Sequence, residues 1–181
     1  MLVLASASPR RQELLRNAGI TFEVQPAHIP EDPLPGEAAK DCAERLAREK
    51  ALAVARQRPH DCVLGADTIV AIDDQLLGKP SDAADAARML RLLSGREHRV
   101  ITGVCLVVSG QPSAASETTL VTVSEVSDKE IAVLAATFCT SFLSTLTDDQ
   151  LTDMRCAVSL RVACVITRPG KTNPRIRTEP L

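Results

Sequence analysis

A buried β-strand is predicted by the stretch Cys62-Val63-Leu64-Gly65-Ala66-Asp67-Thr68-Ile69-Val70-Ala71-Ile72, which is apolar at nearly every position. A single carboxylate, Asp67, lies in the middle of this run. Burying an isolated charge is strongly unfavourable unless the charge is paired, hydrogen-bonded or bound to a metal. Asp67 is therefore either compensated for structural reasons alone or kept for chemistry, and the strand by itself favours neither explanation.

The N-terminal segment predicts a strand, a turn and a helix start. Leu2-Val3-Leu4-Ala5 is a short apolar run, Ser8 is a suitable N-cap, and Pro9 fits the first helical position. Arg10 and Arg11 follow at once, although arginines normally stabilise the last turn of a helix. Because a helix start favours anions, we interpret Ser8, Arg10 and Arg11 as a phosphate-binding site. The alternative is a capped helix with two solvated arginines. The inward face of this helix is predicted to consist of Leu14, Leu15 and Ala18.

Two lysines are further candidates. Lys50 shares one face of the predicted helix 37–58 with residues four positions apart, namely Cys42, Leu46 and Val54. Its stem is either buried with the amine in water, or its amine is directed into a site, and both alternatives stay open. Lys79 lies between Gly78 and Pro80, in a loop shortly after the Asp67 strand. It is either solvated or contacts the same ligand as Asp67.

Helices and strands alternate along the rest of the chain, which predicts an α/β protein. Ser81 is the predicted N-cap of the next helix. Residues 98–108 are almost continuously apolar, so we expect a strand buried on both faces. A polar loop is predicted for residues 109–116 and an alternating strand for 117–126. A capping box then begins a helix over residues 128–143.

Composition excludes several classes of function. The 181 residues carry a net charge of -2 and include three Phe, no Tyr and no Trp, which argues against nucleic-acid binding. The six cysteines form no CxxC pair, and the three histidines are scattered, so we predict no zinc site and free thiols in a reducing cytoplasm. The apolar start is too short for a signal peptide, and no run reaches the length of a membrane span. We expect a cytoplasmic protein without a membrane partner.

Several motifs follow one another in a recognisable order. They are Ala5-Ser6-Ala7-Ser8-Pro9-Arg10-Arg11, Arg48-Glu49-Lys50-Ala51, Gly65-Ala66-Asp67-Thr68, Gly78-Lys79-Pro80, and Ser94-Gly95-Arg96-Glu97-His98 with Thr102-Gly103-Val104. Each motif is weak alone, but together they are highly specific. Residues 1 to about 132 resemble the Maf family of nucleoside triphosphate pyrophosphatases.

The resemblance implies an α/β fold of the Maf/ITPase type, with an elongated mixed sheet, flanking helices and a cleft between two lobes. It implies hydrolysis of a nucleoside triphosphate to the monophosphate and pyrophosphate, with dTTP and UTP as preferred substrates. Asp67 would be the catalytic base, and Mg²⁺ or Mn²⁺ the cofactor, with Glu31 and Asp67 as its ligands. The implied substrate-binding residues are Ser8, Arg10, Arg11, Lys50, Thr68 and Lys79. We also allow for a homodimer.

The last 49 residues, 133–181, lack the motifs with which the family continues, and we therefore predict a separate, divergent segment. Our hypothesis is a frame-shifted or replaced C-terminus, with a short helix to Arg155, a strand over 157–167 and disorder in roughly the last 14 residues. Because the missing family segment carries cleft residues, three functions stay open. The chain is an active dTTP/UTP pyrophosphatase, a nucleotide-binding but catalytically impaired relative, or a non-enzymatic regulator of septum formation.

Overall fold

The computed structural model describes residues 1–78, 80–145 and 178–180, with the backbone alone at 137–145 and 178–180. The helices are α1 (Pro9–Asn17), α2 (Ala39–Ala55), α3 (Ala83–Leu93) and α4 (Asp128–Thr145). The strands are β1 (Leu2–Leu4), β2 (Glu23–Val24), β3 (Cys62–Ile72), β4 (Gln75–Leu77), β5 (Glu97–Val108), β6 (Gln111–Thr122) and β7 (Thr178–Pro180). Lys79 and the predicted elements between residues 146 and 177 lie outside the described residues.

The strands form a mixed sheet, which confirms the predicted α/β class. Their order is β2-β1-β3-β5-β6-β7, and β4 pairs with the end of β3. β1 runs parallel to both β2 and β3, with Leu4 opposite Val24 on one side and Leu64 on the other. β4 is antiparallel to β3, as the predicted hairpin requires, and β7 is antiparallel to β6. The parallel pairing places the end of β1 beside Leu64, three residues before Asp67 in β3.

The chain divides into two compact units. The first comprises Met1–Ile69 with Ile101–Glu117, and the second comprises Val70–Val100 with the described residues from Thr118 onward. Each unit has a core of its own. The first core is built from strands β1, β3 and β5 and helix α2, and includes Val3, Ala47, Ala51, Val54, Val63, Cys105 and Val107. The second includes Val70, Ile72, Leu77, Met89, Leu90, Leu93, Val123 and Ile131. The predicted cleft between lobes stays a prediction.

Two glycines allow helix α2 to pack unusually close to the sheet of the first unit. A Cβ atom built on Gly65 would collide with the carbonyl oxygen of Ala47 and would lie 2.6 Å from the backbone nitrogen of Ala51. A Cβ atom on Gly103 of β5 would collide with the backbone of Ala43 in the same helix. Since real Cβ atoms do not approach backbone this closely, both positions require glycine. The helix therefore lies directly against the strand that carries Asp67.

Four local predictions were wrong. Strand β5 is buried on one face only, because Val104, Leu106 and Val108 are exposed while the residues between them are buried. The continuous run of apolar residues in β5 therefore did not indicate that other elements pack against both faces of this strand. Residues 109–116 are not a loop, since Ser109 and Gly110 form a tight turn with positive φ and β6 begins at Gln111.

The other two concern helices α1 and α3. No residue of α1 is buried, and Leu14 is 68% exposed. Helix α1 therefore lacks the inward, apolar face that the sequence predicted. Helix α3 is capped by Asp82 rather than Ser81, because the Asp82 carboxylate accepts a hydrogen bond from the backbone N–H of Asp85 at 2.8 Å. Aspartate is as good an N-cap as serine, so the sequence allowed either residue.

Candidate active site

Asp67 lies at the centre of a buried charged cluster in the first unit. Its side chain is completely buried, and its Oδ1 accepts a hydrogen bond from Lys50 Nζ at 2.8 Å. The same Nζ lies 2.6 Å from Oε1 of Glu31. Lys50 is itself only 2% exposed and Glu31 14% exposed. The structure thus brings together three of the residues that the sequence suggested, and the amine of Lys50 does not reach into water.

The fold explains how Lys50 reaches this position. Lys50 belongs to the buried stripe of α2 and lies one residue before Ala51, which touches the strand at Gly65. Asp67 lies two residues after Gly65, so its side chain leaves β3 on the same face, toward α2. The close helix-to-strand packing that the glycine permits therefore sets the distance of the buried ion pair.

Glu31 comes from the proline-rich loop between β2 and α2. Of the other two acidic residues in this loop, Asp32 is exposed, and Glu37 receives two hydrogen bonds from the guanidinium of Arg45, at 2.6 and 2.8 Å. These hydrogen bonds lower the pKa of Glu37 from 4.5 to about 2. Glu37 is therefore committed to a structural pair, while Glu31 is directed at Lys50.

The cluster carries two carboxylates against one ammonium group. Asp67 Oδ2 is buried, and it has no hydrogen-bond partner in the part of the chain that the structure describes. A buried carboxylate oxygen without a partner is costly, which favours a ligand, water or metal at this position. Carboxylate oxygens suit Mg²⁺ and Mn²⁺, so the chemistry of Glu31 and Asp67 fits such a metal. Among the described residues, however, no group of three or more His, Cys, Asp or Glu is arranged to hold a metal.

A chain of hydroxyl groups holds Arg11 on the other face of β3. Arg11 Nη1 donates to Ser6 Oγ at 3.0 Å, and Arg11 Nη2 donates to Thr68 Oγ1 at 3.4 Å. The hydroxyl groups of Thr68 and Thr102 lie 3.1 Å apart. Asp67 and Thr68 are neighbours in the strand, so one strand presents a carboxylate to Lys50 and a hydroxyl to Arg11.

The start of α1 has the predicted cap. Ser8 is 1% exposed, and its Oγ accepts a hydrogen bond from the backbone N–H of Arg11 at 3.3 Å. The backbone N–H of Ser8 donates to Ser6 Oγ, also at 3.3 Å. Arg10 lies half-buried in the same first turn, which contains no acidic residue of its own. A helix start with two arginines is chemically suited to an anion such as phosphate.

Sequence reasoning missed Ser6 and Thr102 as members of this arrangement. Both residues stand in motifs that were recognised, Ala5-Ser6-Ala7-Ser8 and Thr102-Gly103-Val104, but neither was assigned a role. A sequence signal was available for Ser6, which comes shortly after a predicted buried strand, where a polar side chain needs a partner. Thr102 gave no such signal, because its partner Thr68 lies 34 positions away in the chain. Lys79, the remaining candidate, lies outside the described residues.

Comparison with known proteins identifies relatives of the matched region. The family described as "Maf-like protein" matches residues 1–142. A protein named dTTP/UTP pyrophosphatase from Koribacter versatilis (strain Ellin345) is 59% identical over 131 residues, which cover 72% of this chain and 68% of that protein. Proteins of the same name from Geobacter metallireducens and Geobacter sulfurreducens are 46% and 48% identical over 140 residues. In both cases the match covers 76% of this chain and 73% of the relative.

Similarity to a solved structure is much weaker. Protein VC0702 from Vibrio cholerae gives a TM-score of 0.42 at 9% sequence identity, over 90% of this chain and 94% of that one. The sequence relationships do not depend on this likeness. A family match over residues 1–142 and a relative with 59% of its aligned residues identical are sufficient to assign the family. This chain belongs to the Maf-like protein family.

Proposed function

We propose that this protein is a nucleoside triphosphate pyrophosphatase that hydrolyses dTTP and UTP to the monophosphate and pyrophosphate. The observation that carries the proposal is the fully buried Asp67, paired with Lys50 and left with one unpartnered oxygen, at the position of the family motif. The named activity of its relatives supports the same reaction.

In this proposal Asp67 accepts the proton of the attacking water, and the bond between the α and β phosphates breaks. Oδ2 of Asp67, which has no hydrogen-bond partner in the described structure, is the oxygen that accepts this proton. Because a buried site holds little water and has a low dielectric constant, electrostatic interactions between its charges and the substrate are stronger than in water. The pyrophosphate leaves with the electron pair of the broken bond, so catalysis requires positive groups around the leaving oxygens.

The positive groups are the arginines of α1 and the lysines. The start of α1, with Ser8, Arg10 and Arg11, binds phosphate oxygens through backbone N–H groups and guanidinium donors. Thr68 keeps Arg11 oriented through the hydrogen bond between the two side chains. Lys50 and Lys79 complete the neutralisation of the triphosphate.

Glu31 and Asp67 would hold Mg²⁺ or Mn²⁺, which both suit carboxylate ligands. A bound divalent metal would neutralise charge on the phosphates and make water more acidic. The chain's own contribution is to keep the two carboxylates dehydrated and near each other. We further propose a cytoplasmic location, a reducing compartment in which cysteines stay free. None of the helices in the described part of the chain could span a membrane. The homodimer also stays a prediction.

The test is a pyrophosphate-release assay with dTTP, UTP, dCTP, dATP and GTP, each with Mg²⁺ or Mn²⁺. We expect turnover with dTTP and UTP well above the other three nucleotides. Absence of turnover with dTTP and UTP at either metal would refute the proposal. In that case, thermal stabilisation by dTTP would indicate the nucleotide-binding but impaired alternative. Absence of both effects would leave the non-enzymatic regulator.

A further inference from the structure

The Lys50 ammonium group occupies the position between the two carboxylates that a metal would need. It bridges Glu31 Oε1 at 2.6 Å and Asp67 Oδ1 at 2.8 Å. Such bridging of two acidic side chains is what a divalent cation does in a carboxylate site. An ammonium group and a divalent ion cannot share the space between the same oxygens, because like charges repel strongly at this separation.

The position of Lys50 is also one that it can leave. A lysine has a flexible four-carbon stem, so its charge can move by rotation about single bonds without displacement of α2. In the nucleotide-free protein the ammonium compensates the buried charge of Asp67. A triphosphate carries several negative charges and offers Lys50 a new partner, while its oxygens complete the coordination of a metal.

We propose that Lys50 is an internal cation that holds the place of the metal in the nucleotide-free protein and exchanges with it. The divalent metal takes the space between Glu31 and Asp67 when the ammonium group turns away toward phosphate. The metal site is therefore weak without nucleotide and strengthened by it. This inference rests on the proposed function only in taking a divalent metal as the cofactor of this cluster.

A permanent structural ion pair would behave differently. If Lys50 only stabilised Asp67 in the fold, its removal would leave metal affinity unchanged or reduce it through local disorder. If Lys50 competes with the metal, its removal takes the competing positive charge out of the space between Glu31 and Asp67 and increases metal affinity. The two explanations thus predict opposite effects of the same substitution.

The first experiment titrates Mn²⁺ into the nucleotide-free protein by calorimetry and follows free Mn²⁺ by electron paramagnetic resonance. We compare the wild type with Lys50→Met and Lys50→Gln, and use Lys40→Met as the control, since Lys40 lies exposed on the same helix. The Lys50 variants should bind Mn²⁺ at least about tenfold more tightly, because a full positive charge has been removed a few ångströms away. The control should match the wild type. Unchanged or weaker binding in a folded Lys50 variant, as judged by circular dichroism, would overturn the proposal.

A second experiment uses the wild type and does not depend on the variants folding. Brief treatment with acetic anhydride, followed by mass spectrometry, measures the reactivity of Lys50 relative to exposed Lys40. We expect Lys50 to be protected in the metal-free protein and to become several-fold more reactive at saturating Mn²⁺, as its amine is released. If Mn²⁺ saturates the protein and Lys50 stays protected, the exchange does not occur.

Neither experiment requires turnover, so the two proposals fail separately. Tighter Mn²⁺ binding by the Lys50 variants in a protein without pyrophosphatase activity would support the exchange and refute the function. Pyrophosphatase activity of the wild type, together with unchanged Mn²⁺ affinity in the Lys50 variants, would support the function and refute the exchange.

Discussion

Asp67 in the first unit and His98 in the second are both buried titratable side chains, but they are buried in different ways. Asp67 is 0% exposed and contacts the ammonium of Lys50, with one oxygen left unpartnered in the described structure. His98 is 2% exposed, and burial lowers its pKa from 6.5 to about 4. His98 is therefore neutral at neutral pH, whereas Asp67 is kept beside a cation.

The difference separates a candidate catalytic group from a structural one. A neutral imidazole can be buried at modest cost, and it then adds packing volume and a hydrogen bond to the core. Burial of two carboxylates and an ammonium group costs free energy of folding. If stability were the only requirement, apolar residues at these positions would serve better. The high cost of burying the charged cluster is consistent with a catalytic role for Asp67. The low cost of burying a neutral imidazole gives no reason to expect a catalytic role for His98.

The largest expected effect comes from Asp67→Asn. The amide keeps the shape of the side chain but accepts protons poorly, so pyrophosphate release from dTTP should fall by about 10³-fold. Binding of dTTP, measured by calorimetry, should be retained. Asp74→Asn is the control, because Asp74 is exposed in the turn between β3 and β4. If the Asp67 variant kept the wild-type rate, Asp67 would be a buried structural residue like His98.

The sequence located Asp67 and Lys50 because both signals are local. An apolar run with one carboxylate and a helical stripe with one lysine can be recognised without knowledge of the fold. Glu31 was found only through the family resemblance, since an irregular loop has no periodicity that fixes the direction of a side chain. Thr102 was missed because its contact with Thr68 joins residues 34 positions apart.

The prediction for β5 failed for a related reason. Hydrophobicity reports which side chains would be stabilised by burial, but it does not report whether another element is present to bury them. Val104, Leu106 and Val108 stay exposed on the face opposite the one that α2 covers. Only a structure can show which face of a strand has a neighbour.

The second effect concerns the distance between α2 and β3. Gly65→Ala places a methyl group against the backbone of Ala47 and Ala51, so we expect a loss of about 3 kcal/mol in the free energy of unfolding. It should also weaken catalysis, because Lys50 moves with the helix. Urea unfolding and pyrophosphate release measure the two effects. Gly78→Ala is the stability control, since a methyl group there meets nothing within 4 Å. Equal stability of the two variants would show that α2 can move away from β3 without cost.

The third effect is the pH dependence of stability that His98 contributes. The folded state binds the proton more weakly than the unfolded state, so stability is full above the unfolded pKa of 6.5 and falls as pH drops toward about 4. Between pH 7 and 5 the free energy of unfolding should decrease by about 2 kcal/mol. Glu37, whose pKa is lowered to about 2, affects stability only below its unfolded value of 4.5.

The variant His98→Gln should remove most of this slope between pH 7 and 5, and His60→Gln, at an exposed position, is the control for loss of a histidine. Urea unfolding at a series of pH values measures both. An unchanged slope in the His98 variant would mean that His98 does not titrate differently in the folded state. The distinction between a neutral buried histidine and a charged buried cluster would then be lost.

The smallest expected effect is that of Thr102, which touches the site through Thr68. Thr102→Val keeps the shape of the side chain and removes the hydroxyl that lies 3.1 Å from Thr68 Oγ1. Loss of one such hydrogen bond is worth about 1 kcal/mol, so the KM for dTTP should rise about fivefold as Arg11 becomes less well oriented. The value of kcat should stay close to that of the wild type, because the Thr102 hydroxyl bonds to Thr68, which faces Arg11 and not Lys50.

Thr102→Ser retains the hydroxyl and should restore the wild-type KM, while Thr122→Val on the exposed part of β6 is the control. Steady-state kinetics with dTTP separates KM from kcat. A fall in kcat instead of a rise in KM would mean that the hydroxyl chain acts on the Asp67 side of the strand as well. In that case the two faces of β3 would work as one unit, and Arg11 would belong to the chemistry and not only to substrate binding.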